Sequence, residues 1–214
     1  MGLLQARDKK VVEREFAKLQ NPVKLVMFTQ EIECQFCQHT RELMEEVAAL
    51  SDKLSVKVYD FVKDREKALH YQIDKIPATV VEGEKDYGIR FFGIPSGYEF
   101  TTLMEDIVMV STQEIGLSEK TKALIQTITT PIHIQVFVTP TCPYCLGAVS
   151  LAHKLAFECA AIRGDMVEVM EFPQLATKYS VMGVPKVVIN DDVEFEGALP
   201  EEMYVAQLMT AVKS

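Results

Sequence analysis

Short apolar runs alternate with stretches of helical periodicity along this chain, and the alternation occurs twice. In the first half, Val23 to Thr29 is an apolar run of buried-strand length, and a helical pattern starts at Cys34 and runs to about Leu50. Val56 to Tyr59 alternates as a strand, Asp64 to Tyr71 reads as a helix, and Thr79 to Glu82 as a strand. Glu84 to Tyr87 is a turn before a strand at Ile89 to Phe92, and a last helix spans about Gly97 to Met109. The second half repeats the order. Its strand is Ile132 to Val138, followed by a helix from Pro143 to about Ala160 and a strand at Val167 to Met170. A helix at Gln174 to Tyr179, strands at Lys186 to Ile189 and Val193 to Phe195, and a final helix from Pro200 complete it. On this reading the second long helix outruns its counterpart by about three residues, and the connection after the next strand is shorter.

Each half is therefore β-α-β-α-β-β-α, preceded by an extra helix at Asp8 to Leu19 or Ser118 to Thr129. This is an α/β pattern, with parallel pairing early in each unit and a terminal hairpin. The expected units are residues 1–114 and 115–214, with the junction near Ser111 to Leu117. No Gly/Ser-rich linker marks it, which predicts a packed pair rather than two tethered beads.

The repeat is sharpest at the cysteines. Cys34-Gln-Phe-Cys37 and Cys142-Pro-Tyr-Cys145 lie 108 residues apart. Each is followed, 43 residues after its first Cys, by an aliphatic-Pro dipeptide, Ile76-Pro77 or Val184-Pro185. The same offset pairs Ala68 with Ala176, Tyr71 with Tyr179 and Ile73 with Val181, so a duplication accounts for the spacing.

Composition narrows the partners. The 214 residues are 48% hydrophobic with a net charge of −9, and neither half carries a basic block. Nucleic acid and anionic membrane are thereby disfavoured. Met1 to Gln20 is charged and amphipathic, and nowhere do about 18 apolar residues run together. A cytoplasmic location is the expectation, and in a reducing compartment the five cysteines are catalytic or metal-binding rather than a disulfide framework.

A Cys-x-x-Cys between a strand and a helix, then an aliphatic-Pro before another strand, resembles the thioredoxin fold. Cys142-Pro-Tyr-Cys145 resembles glutaredoxin. Two such units in one chain of this length resemble the protein disulfide oxidoreductases of archaea and thermophilic bacteria, over essentially the whole sequence. The resemblance implies two tandem thioredoxin-fold units with active sites at Cys34/Cys37 and Cys142/Cys145. It also implies cis peptides before Pro77 and Pro185, and an activity that reduces, forms or reshuffles disulfides in proteins. There are departures. Glu33 and Thr141 stand where thioredoxin has Trp, and the Gly-Gly-x-x-Asp that helps hold glutathione is missing after Pro185. The expected electron donor is therefore a flavoprotein of the thioredoxin-reductase type rather than glutathione, with no cofactor or metal in this chain.

The residue chemistry agrees. A thiol at a helix start faces unpaired N–H groups and the positive end of the helix dipole, which favour thiolate. Three residues on, the second thiol lies beneath the first. Cys34 and Cys142 are the expected nucleophiles, and Cys37 and Cys145 the resolving thiols. Ile76-Pro77 and Val184-Pro185 would present an extended edge to which a substrate strand adds. Glu31 and Glu33 flank only the first pair, which makes Cys142 the more thiolate-like site.

Cys159 continues the apolar helical stripe Cys145, Ala148, Val149, Ala152, Leu155, Ala156 and belongs to the core. His39, His70, His133 and His153 lack ligand spacing, though His39 is near enough to Cys37 to tune it. Two alternatives remain open. One is an electron relay like the N-terminal part of the alkyl hydroperoxide reductase flavoprotein. The other is a non-enzymatic zinc site built from the four paired cysteines.

Overall fold

The computed structural model describes residues 3–212; Met1, Gly2, Lys213 and Ser214, the outermost residues of the two expected units, lie outside the described residues. The elements of the first unit are α1 (Ala6–Phe16), β1 (Val23–Thr29), α2 (Cys37–Ala48), β2 (Leu54–Asp60), α3 (Arg65–His70), β3 (Ala78–Glu82), β4 (Asp86–Phe92) and α4 (Tyr98–Thr112). Those of the second are α5 (Glu119–Ile125), β5 (Ile132–Val138), α6 (Cys145–Glu158), β6 (Ile162–Glu168), α7 (Pro173–Lys178), β7 (Lys186–Ile189), β8 (Val193–Glu196) and α8 (Glu201–Ala211).

The eight strands among the described residues form one sheet in the order β2-β1-β3-β4-β6-β5-β7-β8. Within each unit the first two strands are parallel and the rest antiparallel, as the hydrophobic pattern predicts. The units join through β4 and β6, which run parallel with Ile89 opposite Gly164 and Phe92 opposite Val167. Because β4 and β6 run parallel, β1 and β5 point the same way, and both cysteine pairs leave the same rim of the sheet.

The long helices α2, α4 and α6 cover one face, where Leu43, Leu103, Ile107 and Leu155 pack against Leu25, Phe91 and Ile134. The short helices α3 and α7 cover the other, closing Phe28, Phe92 and Phe137 beneath Ala68, Tyr71 and Phe172. Each such phenyl ring contributes about 1.5–3 kcal/mol by leaving water.

The sixth strand corrects the sequence reading. It occupies Ile162–Glu168 rather than Val167 to Met170, and α6 stops at Glu158, short of Ala160. Gly164-Asp165 resembles a turn in sequence, yet both residues are inside the sheet. Gly164 lies where α6 presses on β6: a Cβ there would sit 2.9 Å from the Ala152 carbonyl oxygen. Burial alone would raise the Asp165 carboxyl, but the charges of His133 and Arg163 beside it hold it down to about 2. The connection from β6 to α7 therefore has the same length as that from β2 to α3, and the expected shortening is absent. Cys159 is not on the helix but just past it, in extended backbone; it is nevertheless buried and free.

Candidate active sites

Each cysteine pair closes the turn that leads into a long helix. The regular helices start at the second cysteine, Cys37 or Cys145, so Pro143 belongs to the preceding turn rather than to the first helical position. In the second unit that turn is fixed by Cys142 N–H donating to Thr139 O and Cys145 N–H donating to Cys142 O. Both pairs are disulfide-bonded, each with a Cα–Cα separation of 5.4 Å. The outer cysteines are the more exposed: Cys34 is half-buried and Cys142 is 8% exposed, whereas Cys37 and Cys145 are at 1% and 0%.

The aliphatic-Pro dipeptides lie at the cysteines' rim of the sheet: Pro77 leads into Ala78, paired with Phe28 near the end of β1, and Pro185 into Lys186, paired with Phe137 near the end of β5. Ile76–Pro77 and Val184–Pro185 are both cis, and Cys142 Sγ lies 3.7 Å from the Val184 carbonyl oxygen. Neither Ile76 nor Val184 makes a backbone hydrogen bond among the described residues, while Pro77 O and Pro185 O accept from Gly93 N–H and Gly197 N–H. Exposed apolar side chains flank the sites, Ile32 by the first and Tyr144 and Met182 by the second. Beside Cys34 a cleft of about 460 Å³ is lined by Glu31, His39, Arg41, Asp60 and Lys63, which brings His39 to the first site.

The two pairs leave strands four places apart in the sheet, roughly 19 Å at ordinary strand spacing. The four thiols are thus not gathered around one point. Among the described residues no group of three or more His, Cys, Asp or Glu side chains is placed to hold a metal ion.

A residue that sequence reasoning passed over is Glu99, in the first turn of α4. Gly97, with φ of 60°, lets the chain approach the second site closely enough for Tyr98 N–H to donate to Pro140 O. Further along, Asp106 meets His153, so α4 and α6 run side by side in the same direction. Two turns back along each helix, about 10–12 Å, Glu99 stands level with Cys145. It is 1% exposed, accepts from Thr102 Oγ1 at 3.1 Å, and its Oε1 has no partner among the described residues. Burial pushes its carboxyl up to about 7, against the opposing effects of Thr102 and His153. The available sequence signal was a Glu on the inward face of an amphipathic helix.

Comparison with known proteins decides the family. Residues 132–210 match the thioredoxin domain model. The thioredoxin of Methanocaldococcus jannaschii is 41% identical over 75 residues, 35% of this chain and 88% of that protein. A protein disulfide oxidoreductase from Aeropyrum pernix superposes with a TM-score of 0.92 at 30% identity, covering 98% of this chain and 94% of that one. The chain belongs to the protein disulfide oxidoreductases. Its two Cys-x-x-Cys pairs make it a thiol–disulfide oxidoreductase of tandem thioredoxin folds. A component of the alkylhydroperoxide reductase of Enterococcus faecalis is also similar, with a TM-score of 0.89 at 25% identity, covering 96% of this chain and 99% of that one. The chain spans 30% of the length of the curated NADH dehydrogenase and alkyl hydroperoxide reductase relatives it matches. No helix among the described residues is long and apolar enough to cross a membrane.

Proposed function

We propose that Cys34/Cys37 and Cys142/Cys145 each exchange electrons with protein disulfides, with Cys34 and Cys142 attacking and Cys37 and Cys145 resolving. The observation that carries this reading is, at each site, a disulfide whose outer cysteine is more exposed than its inner one, with Cys142 Sγ 3.7 Å from the Val184 carbonyl at the second. In the reducing direction, the outer thiolate attacks one sulfur of the client disulfide and the other sulfur leaves as a thiolate that takes up a proton. The inner cysteine, as thiolate, then attacks the outer sulfur and expels the client's second thiolate. Two electrons pass to the client and the chain is left with an intramolecular disulfide. At the second site Glu99 is the group placed to receive the Cys145 proton before that attack. The extended segments at Ile76-Pro77 and Val184-Pro185 supply the edge on which a client strand docks, and Ile32, Tyr144 and Met182 suit the apolar side chains of such a segment.

Electrons for net reduction come, in this reading, from a flavoprotein of the thioredoxin-reductase type. A relay role is the second reading, favoured by the similarity to the alkylhydroperoxide reductase component; two intact cysteine pairs support the broader exchange activity. Insulin-reduction and disulfide-reshuffling assays on C34S/C37S, C142S/C145S and the quadruple variant test the proposal. Each double variant should retain turnover and the quadruple variant none; a quadruple variant that still turned over would overturn it. Efficient turnover with glutathione and glutathione reductase alone would refute the proposed donor.

A further inference from the structure

The hydrogen bond that supports the docking edge of the first site is itself held by the second unit. Pro77 O accepts from Gly93 N–H at 2.9 Å, and the next residue, Ile94, donates its N–H to Glu171 Oε1 at 2.7 Å. Glu171 lies in the turn after β6, where its own N–H donates to Glu168 Oε2 at 2.7 Å. Gly93 is pressed into this corner. A Cβ added there would sit 2.8 Å from Glu168 Cβ and 2.9 Å from Glu171 Oε1, and its φ of 95° is one that side chains rarely adopt. The chain Glu171–Ile94–Gly93–Pro77 thus crosses the unit junction and ends at the dipeptide on the rim that carries Cys34.

The second site has no such support. Gly197 N–H donates to Pro185 O as Gly93 does to Pro77 O, but a Cβ added to Gly197 would meet nothing within 4 Å. The reason is topological. β4 is interior to the sheet and is covered by β6, whereas β8 is an outer edge. The first-unit counterparts of Glu168 and Glu171 in the repeat are Asp60 and Lys63, at the other outer strand, where Asp60 is half-buried, Lys63 is exposed and no neighbouring unit is there to hold.

We infer that Glu171 is a positioning residue for the first site: through Ile94 and Gly93 it fixes the Ile76-Pro77 edge on which a protein client docks before Cys34 attacks. The inference rests on the reading of that edge as the client-docking segment. Burial and the neighbouring Glu168 push the Glu171 carboxyl up to about 7, against the Ile94 hydrogen bond, so a neutral side chain with a carbonyl oxygen in the same place preserves the contact.

The test uses the full chain with one site disabled. In C142S/C145S, E171A should raise KM for insulin about five- to tenfold, as the loss of one anchoring hydrogen bond implies, with kcat within twofold. Reduction of a small aromatic disulfide, which needs no strand docking, should not change. E171Q should restore insulin KM to within twofold, and E171A in C34S/C37S should leave the second site unaltered. Should E171A fail to fold, E171L removes the acceptor while filling the same space. The inference is overturned by equal losses at both sites, by E171Q behaving as E171A, or by an unchanged insulin KM. A C142S/C145S parent that reduces the small disulfide but not insulin overturns the docking reading, and a parent that reduces neither overturns the assignment of Cys34/Cys37. Either removes this inference as well.

Discussion

His153 Nδ1 and Asp106 Oδ2 share a hydrogen bond of 2.6 Å, and both side chains are closed off from solvent. This pair joins α4 of the first unit to α6 of the second, two turns along from Glu99 and Cys145. Substituting His153 by Ala leaves the buried Asp106 carboxyl without its hydrogen-bond partner, a loss of about 1–3 kcal/mol. Urea unfolding should show H153A well below the wild type. The double variant D106L/H153L should recover much of the loss, because an apolar pair leaves no buried polar group without a partner.

Glu99 makes stability depend on pH in a definite direction. Its carboxyl is raised by burial from 4.5 to about 7, so between those values the folded chain holds more protons than the unfolded one. The stability it contributes is full below about pH 4.5 and is lost as pH rises through about 7. Glu171, raised to about 7 by burial, acts in the same sense. E99Q should flatten the fall in unfolding free energy over this window by something of order 3 kcal/mol. It should also slow turnover in C34S/C37S while sparing C142S/C145S. Parallel pH profiles for E99Q and wild type would contradict this account.

Gly97 is required where α4 approaches the second site. A Cβ there would be driven into the Pro140 carbonyl, and φ of 60° disfavours any other residue. G97A should cost about 1–3 kcal/mol. The hydrogen bond from Tyr98 to Pro140 should be lost with it, and turnover at the second site alone should fall about tenfold. Retained second-site turnover in C34S/C37S/G97A would count against a positioning role for this contact.

The two outer thiols should differ. Glu31 lines the cleft beside Cys34, while Thr139-Pro140-Thr141 before Cys142 is uncharged and Glu99 is neutral below about 7. One nearby carboxylate raises a thiol by about one pKa unit. Glu31 and Glu33 are exposed, so added salt should narrow the gap. Iodoacetamide alkylation of reduced C34S and C142S from pH 4 to 9 should leave the lower-pKa thiol in C34S. The reverse order would assign reactivity to the tertiary surroundings instead.

What the sequence determined by itself is local or periodic. β1, β5 and β7 fall where their apolar runs predict, the helices follow the 3.6-residue pattern to within four residues at each end, and the matched Cys-to-Pro spacing announces the duplication. β6 escaped because Asp165 is tolerated inside a strand only with His133 and Arg163 around it, partners that a linear pattern does not place. The parallel pairing of β4 with β6 likewise has no local signature, since an interior strand and a sheet edge can carry the same residues. That pairing decides the rest. It puts both cysteine pairs on one rim, buries Glu99 of the first unit level with Cys145, and brings Glu171 of the second unit against the segment beside Cys34. The chemistry of each site was written in its own motif. The unequal support of the two sites arises only when one unit covers the edge of the other and leaves its own outer edge bare.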